Sequence, residues 1–338
     1  MSQLQGKMGR RQFLANGAKL AMAAPLLTQQ SKASDANQPA KEPNQTATKG
    51  SGGKGPAFII DSHTHCKSTD AWVKEMVETY RRHNAMACVF TYMADMKLVK
   101  DAMASYPDVF IGYGRIEIDD PNAIREVETF KKNGFVGMKF HRPQKNFDDP
   151  CYFQVYRLCE EYGMHMIFHT GIAGHTPSDN KPMWGSGARM RPIYLDTLCM
   201  QFPKATIQGA HLGNPWYEEA AETARWNAKL YFDVSGSTLI KFIKLGHLKR
   251  MSEILWWADD ESQNNPHTLK GGPSGWEHIV FGSDEPPSGL AANIERFQKM
   301  LDANNVSAIT REKMWGLTMA KILGIDPKTH KFTGNKGA

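Results

Sequence analysis

The sequence predicts an α/β chain closed into a (β/α)8 barrel, and three observations carry that reading. Eight short apolar runs recur between residues 57 and 284, helical patterns separate them, and four of the runs end in a residue type that binds metals. Strands that alternate with helices pair in parallel through right-handed crossovers. Closing such a sheet leaves no edge exposed. An open doubly wound sheet is the competing architecture, but no GxGxxG opens the first βα unit, which weighs against its dinucleotide-binding version.

The strand candidates are AFIIDSH (57–63), MACVFTYM (86–93), VFIGYGRI (109–116), FVGMKFH (135–141), HMIFHTG (165–171), ATIQGAH (205–211), LYFDVSG (230–236) and HIVFGSD (278–284). Amphipathic stretches lie between them. Residues 122–134 place Ile124, Val127 and Phe130 at helical spacing and stop at Gly134. Residues 150–163 follow Asp148 and Asp149 and stop at Gly163. Acidic residues before a helix and glycine after it are ordinary start and stop signals.

The first 56 residues stand apart. GRRQFL (9–14) followed by the apolar stretch AKLAMAAPLL has the layout of a twin-arginine export signal. That stretch is shorter than the ~20 residues a membrane span needs. The expectation is a signal peptide over 1–33, cut after Ala33 with Ala36 as the alternative. It engages the twin-arginine export machinery and yields a periplasmic protein with no stable membrane anchor. Residues 34–56 hold no large apolar side chain and read as a disordered linker. These 56 residues carry eight Lys and Arg against two acidic side chains, the whole formal charge of +6. The barrel, 57–338, is therefore neutral overall and gives no grounds for nucleic-acid binding. Five cysteines without a CxxC pair predict buried free thiols.

In such barrels the chemistry gathers at the C-terminal tips of the strands. The tips carry Asp61, His63 and His65, then Lys139 and His141, then His169, His211, Asp233 with Ser235, and Asp284. His63 and His65 are two apart and point to one side of a strand; Asp61 is expected on that side too. Two imidazoles, a third from His169 and a carboxylate oxygen from Asp284 form a mixed N/O shell. It suits one divalent ion, Zn²⁺ first, with Mn²⁺ or Fe²⁺ as alternatives. Each residue has a plainer reading. An H-x-H is weak alone, His169 can be a satisfied core histidine, Asp284 a helix cap and His211 a turn residue. The joint pattern decides, because 12 histidines placed at random would rarely end separate strands in this way.

DSHTH, GFVGMKFH, IFHTG, FPKATIQGAHLGNPW and FGSDEP stand in an order and spacing that resemble the amidohydrolase superfamily, in its amidohydrolase-2 branch, from residue 57 to about 325. The resemblance implies a TIM barrel with His63, His65, His169 and Asp284 as metal ligands. It makes His211 the strand-six histidine that polarises the substrate or acts as general base. Lys139 lies near the carbamylated lysine of binuclear members. This branch usually works with one metal, so Lys139 and the neighbouring His141 are expected to contact substrate. Two departures stand out. Glu285 replaces a common aromatic beside the strand-eight Asp, with an effect on the pocket floor or on Asp284; Thr318 and Met319 replace an Asn-Ala pattern, a matter of packing.

The expected activity is hydrolysis of a small-molecule amide, ester or lactone. A metal ion lowers the pKa of a bound water from 15.7 toward about 7, Asp284 relays the proton, and His211 steadies the developing oxyanion. Asp61 orients a ligand imidazole or serves the strand end structurally. The rival is a non-oxidative decarboxylase of an aromatic or unsaturated acid, as in the aminocarboxymuconate-semialdehyde decarboxylase relatives of the branch. Such a site needs a guanidinium for the substrate carboxylate, and Arg191 or Arg142 is the candidate. A metal-binding barrel without catalysis is the third class. The long loop 172–197, with His175, Trp184 and Arg191, is expected to close over the substrate. Trp256 and Trp257 read as an apolar helix face or an interface patch, the latter fitting a homodimer.

Overall fold

The computed structural model describes residues 55–174, 186–258 and 268–334. The expected signal peptide, the linker up to residue 54, and the lid residues His175 and Trp184 lie outside the described residues. Eight strands form one parallel sheet in chain order: β1 (Ile59–His65), β2 (Ala85–Thr91), β3 (Phe110–Ile116), β4 (Gly137–Phe140), β5 (His165–Phe168), β6 (Ile207–Gly209), β7 (Leu230–Asp233) and β8 (Ile279–Val280). Every expected run yields a strand. Helices α1 (Asp70–Arg82), α2 (Met96–Ser105), α3 (Ala123–Lys132), α4 (Phe153–Glu161), α5 (Tyr194–Gln201), α6 (Tyr217–Arg225), α7 (Ser237–Lys244), α8 (Arg250–Ile254) and α9 (Leu290–Ala303) fall between or after them. The architecture is the expected (β/α)8 barrel.

β8 is short, and the barrel closes by individual bonds rather than a ladder. Ser62 N–H donates to the Phe281 carbonyl (3.0 Å), and Asp284 N–H donates to the His63 carbonyl (2.7 Å). Inside the strands, Ile60, Met86, Cys88, Phe90, Ile111, Tyr113, Ile167 and Val280 fill the cylinder. A second apolar layer, with Tyr80, Phe110, Phe130, Phe140 and Phe168, lies between strands and helices. This two-layer burial holds the tips in place.

Details differ from expectation. Val127 and Phe130 are buried on α3, but Ala123 rather than Ile124 completes the face, because Ile124 is turned to solvent. Gly134 adopts φ +84°, the left-handed stop that only glycine takes without strain. All five cysteines are free; Cys88 and Cys159 are buried, whereas Cys151 is exposed. The paired tryptophans divide: Trp257 is buried in the core, while Trp256 lies on the surface beneath the Arg225 guanidinium.

Candidate metal centre

A bulge in β1 sets the geometry. Asp61 faces Ala87 and Thr64 faces Val89, so β1 takes three steps where β2 takes two. The extra residue breaks the strict alternation that would place Asp61 beside the two histidines. Asp61 turns instead toward the helix layer, where it accepts from the Tyr80 hydroxyl (2.8 Å) and from the backbone N–H of His63 (3.1 Å) and Ser283 (2.9 Å). Burial pushes its carboxyl up to about 6, opposed by those donors. It orients no imidazole and ties β1 to the segment after β8.

Asp233, at the tip of β7, is the residue that holds the imidazoles. Its Oδ2 lies 3.0 Å from His63 Nδ1 and accepts from Gln208 Nε2 (2.9 Å). Its Oδ1 accepts from the backbone N–H of His211 and Ser235 (3.0 Å each) and from the Ser235 hydroxyl (2.5 Å). A carboxylate only accepts, so His63 carries its proton on Nδ1 and keeps the Nε2 lone pair. Ser235 has one proton and spends it on Asp233. Its oxygen, 3.0 Å from His211 Nδ1, therefore accepts there, and His211 also keeps a bare Nε2. The sequence hinted at this only through an Asp ending the apolar run LYFDVSG.

Asp284 meets these rings from the far side of the seam. Its Oδ1 is 3.5 Å from His63 Nε2 and 3.2 Å from His65 Nε2; its Oδ2 is 4.0 Å from His211 Nε2. Burial works to raise its carboxyl, but the surrounding imidazoles outweigh that and hold it below the usual carboxylate range. Both Asp284 (φ +54°) and His211 (φ +61°) sit in the left-handed region, a strained backbone that persists only where surrounding bonds fix it.

Among the described residues, His63, His211 and Asp284 offer ligand atoms within 4.8 Å of one another. His211, expected to face substrate, is thus the third member of the tightest group. His65 stands against Asp284, and His169 lies with its ring 4.8 Å from that of His211. His169 Nε2 is buried without a hydrogen-bond partner, a ligand atom that a cation would satisfy. Burial also lowers the pKa of His63, His65, His169 and His211, which keeps these imidazoles neutral, as ligands must be. The residues fit a divalent ion.

The substrate candidates are placed unevenly. His141 Nδ1 takes a bond from Arg115 (3.0 Å), and its ring packs 4.4 Å from His169. Arg191 is not at the site as a guanidinium awaiting an acid: its side chain pairs with Glu219 and stacks on Trp216. Arg142 reaches the Gly174 carbonyl. A cavity of about 170 Å³ is lined by His169, Thr170, His211, Asn214, Ser237 and Asp284, among others.

Lys139 is fully buried, with Nζ 3.4 Å from His63 Nε2. Burial lowers its amine to about 7, against the pull of Asp233 and Asp284. The unfolded chain, with an ordinary lysine near 10.5, then binds the extra proton between pH 7 and 10.5, so stability rises with pH across that window. One such proton contributes a slope of up to ~1.4 kcal/mol per pH unit. Thermal unfolding of metal-free protein over that range should show this slope, and Lys139→Met should flatten it. An unchanged slope in the variant would refute the buried amine as its source.

The comparisons bear on the fold and the family. The amidohydrolase family model matches residues 66–325, beginning one residue after His65. No curated protein sequence gives a significant match. Among solved structures, an uncharacterised TIM-barrel protein of Bordetella bronchiseptica aligns with TM-score 0.58 at 16% identity over 79% of this chain and 98% of its own. A probable 2-pyrone-4,6-dicarboxylic acid hydrolase of Acinetobacter baumannii, with citric acid bound, gives 0.53 at 15% over 79% and 99%. A 5-carboxyvanillate decarboxylase of Novosphingobium aromaticivorans, with bound manganese, gives 0.51 at 13% over 78% and 96%. At such identities these likenesses speak for the fold. The family match spans most of the barrel, and enzymes of that family use a divalent metal. This chain belongs to the amidohydrolase family.

Proposed function

We propose that the chain is a metal-dependent hydrolase of a small-molecule amide, ester or lactone. The observation that carries this is the division of labour on Asp284. One oxygen faces His63 and His65, and the other faces His211 along the cavity wall. A carboxylate so placed can bind on one side and move a proton on the other.

His63, His65, His169 and Asp284 would hold the ion, Zn²⁺ first, with Mn²⁺ or Fe²⁺ as alternatives. When bound, it supplies a Lewis acid and an acidified water. The remaining steps belong to the chain. Asp284 Oδ2 takes the water's proton and returns it to the leaving group. His211, with its bare Nε2, can accept a hydrogen bond that orients the attacking water but has no proton there to give, which replaces the oxyanion-donor role first expected of it. Asp233 fixes the ring of His63 and the backbone of His211. Export to the periplasm is part of the same proposal and rests on residues 9–14; mature protein should begin at Ser34 or Asn37.

Decarboxylation is the second reading. Lys139 and Arg115 favour it, two cations beside the imidazoles that could seat a carboxylate. Metal-loaded protein assayed against lactones, esters, amides and aromatic acids, with acid and CO2 release read separately, decides between them. Chelation should remove essentially all turnover, and added metal should restore it. Less than half an equivalent of metal, with none taken up on reconstitution, would overturn both readings.

A further inference from the structure

Arg115 rises from β3 at the edge of the site, and sequence reasoning passed over it. Its Nη2 donates to His141 Nδ1 (3.0 Å), its Nη1 faces His65 Nδ1 (3.4 Å), and its plane stacks over the Tyr92 ring at 4.7 Å. A guanidinium carries five N–H donors, and among the described residues only these two imidazole nitrogens receive any of them. Among the described residues no carboxylate pairs with it. Among the described residues the neighbouring Lys139 amine has His63 alone in hydrogen-bond range and lies over the face of Phe90, while Asp233 and Asp284 act on it from farther off. Half-buried guanidinium without an acid is unusual, because its charge is then uncompensated.

The metal-loaded state sharpens the imbalance. A histidine that ligates through Nε2 carries its ring proton on Nδ1. His65 Nδ1 would then be a donor facing the donors of Arg115 across 3.4 Å. Donors converge there, and the one acceptor that the described residues still supply is His141 Nδ1, which is neutral. The missing acceptor must be planar enough to meet the fork and anionic enough to balance the charge. That describes a carboxylate.

We infer that Arg115, with His65 Nδ1 beside it, is the seat of a substrate carboxylate. Asp284 Oδ1 lies on the other nitrogen of the same imidazole, at 3.2 Å, so the seat and the reacting centre are one ring apart. The substrate is then a small acid whose carboxylate stands a few bonds from the carbonyl under attack. His65 is exposed by 38% at its side chain and Tyr92 by 39%, so the seat opens to solvent. This inference rests on the hydrolase reading for its chemistry, but the binding it claims is independent of turnover.

Calorimetric titration of the metal-reconstituted full chain with glutarate and with its neutral diamide tests it. The expected result is that glutarate binds and the diamide does not. Arg115→Met should weaken glutarate at least about tenfold, and Arg115→Lys should fall between, since lysine keeps the charge and loses the fork. Failure of the wild-type protein to bind glutarate better than the diamide overturns the inference, as does equal binding by Arg115→Met at equal metal content. A kinetic arm uses the 4-nitrophenyl esters of acetic acid and of monoglutaric acid. The ratio of their kcat/KM values should favour the acid and should fall about tenfold in Arg115→Met; a proportional loss on both esters would make Arg115 a mere prop for His65. If neither ester is cleaved while glutarate binds through Arg115, the hydrolase reading fails and the carboxylate seat stands.

Discussion

Asp284→Asn should leave a folded, metal-binding protein whose turnover is lower by about 10²–10⁴-fold, the usual contribution of a positioned proton carrier. The amide has nearly the same volume, and its oxygen keeps a ligand lone pair where Oδ1 now lies, 3.2 Å from His65 Nε2. Its NH2 cannot take a proton. Placed where Oδ2 lies 4.0 Å from His211 Nε2, it would instead point a donor at the ring. The neutral side chain also no longer balances Lys139, so some metal affinity is expected to go. Activity must therefore be read at saturating metal, with bound metal counted in the same sample. Turnover within tenfold of the parent at full metal content would eliminate Asp284 as the proton carrier.

The second large effect is expected at a residue that touches no substrate. Asp233→Ala removes the acceptor for five donors in a place closed to solvent: His63 Nδ1, Gln208 Nε2, the N–H groups of His211 and Ser235, and the Ser235 hydroxyl. Each stranded donor carries a desolvation cost of ~1–3 kcal/mol, and these costs do not add when the donors can relax together. A net loss of about 3–5 kcal/mol is expected, the range for breaking a buried charged network. His63 also loses the anchor of its tautomer, so metal affinity should fall about 10–100-fold. Urea unfolding with unchanged m-value and a competition titration with a metal chelator measure the two effects. Stability within 1 kcal/mol of the parent together with unaltered metal affinity would refute the hub.

The fold was legible because each strand is a short apolar run with a polar stop, and burial on both faces demands that pattern. His63, Asp284 and His211 were legible for the same reason: a ligand-type residue closes the run. What failed were statements about direction. The bulge at Asp61–Thr64 leaves no mark in FIIDSHTH, yet it decides which way Asp61 turns. Arg191 looked available in GARMRPIYLD because Glu219, its partner on α6, is 28 residues away. Arg115 was hidden inside GYGRI, a run that reads as packing. Asp233 was seen as a tip residue but not as the centre of a network, since its donors come from β1, β6 and the turn after β7.

The seam between β1 and the segment after β8 has a consequence for the empty and loaded protein alike. His63 stands on one lip and Asp284 on the other, and few backbone bonds join them. An ion gripped by both would act as a clasp on the weakest line of the cylinder. Amide protons of Ser62 and Asp284 should thus exchange with deuterium much faster in chelated protein than in loaded protein, while the β2–β3 ladder exchanges alike in both.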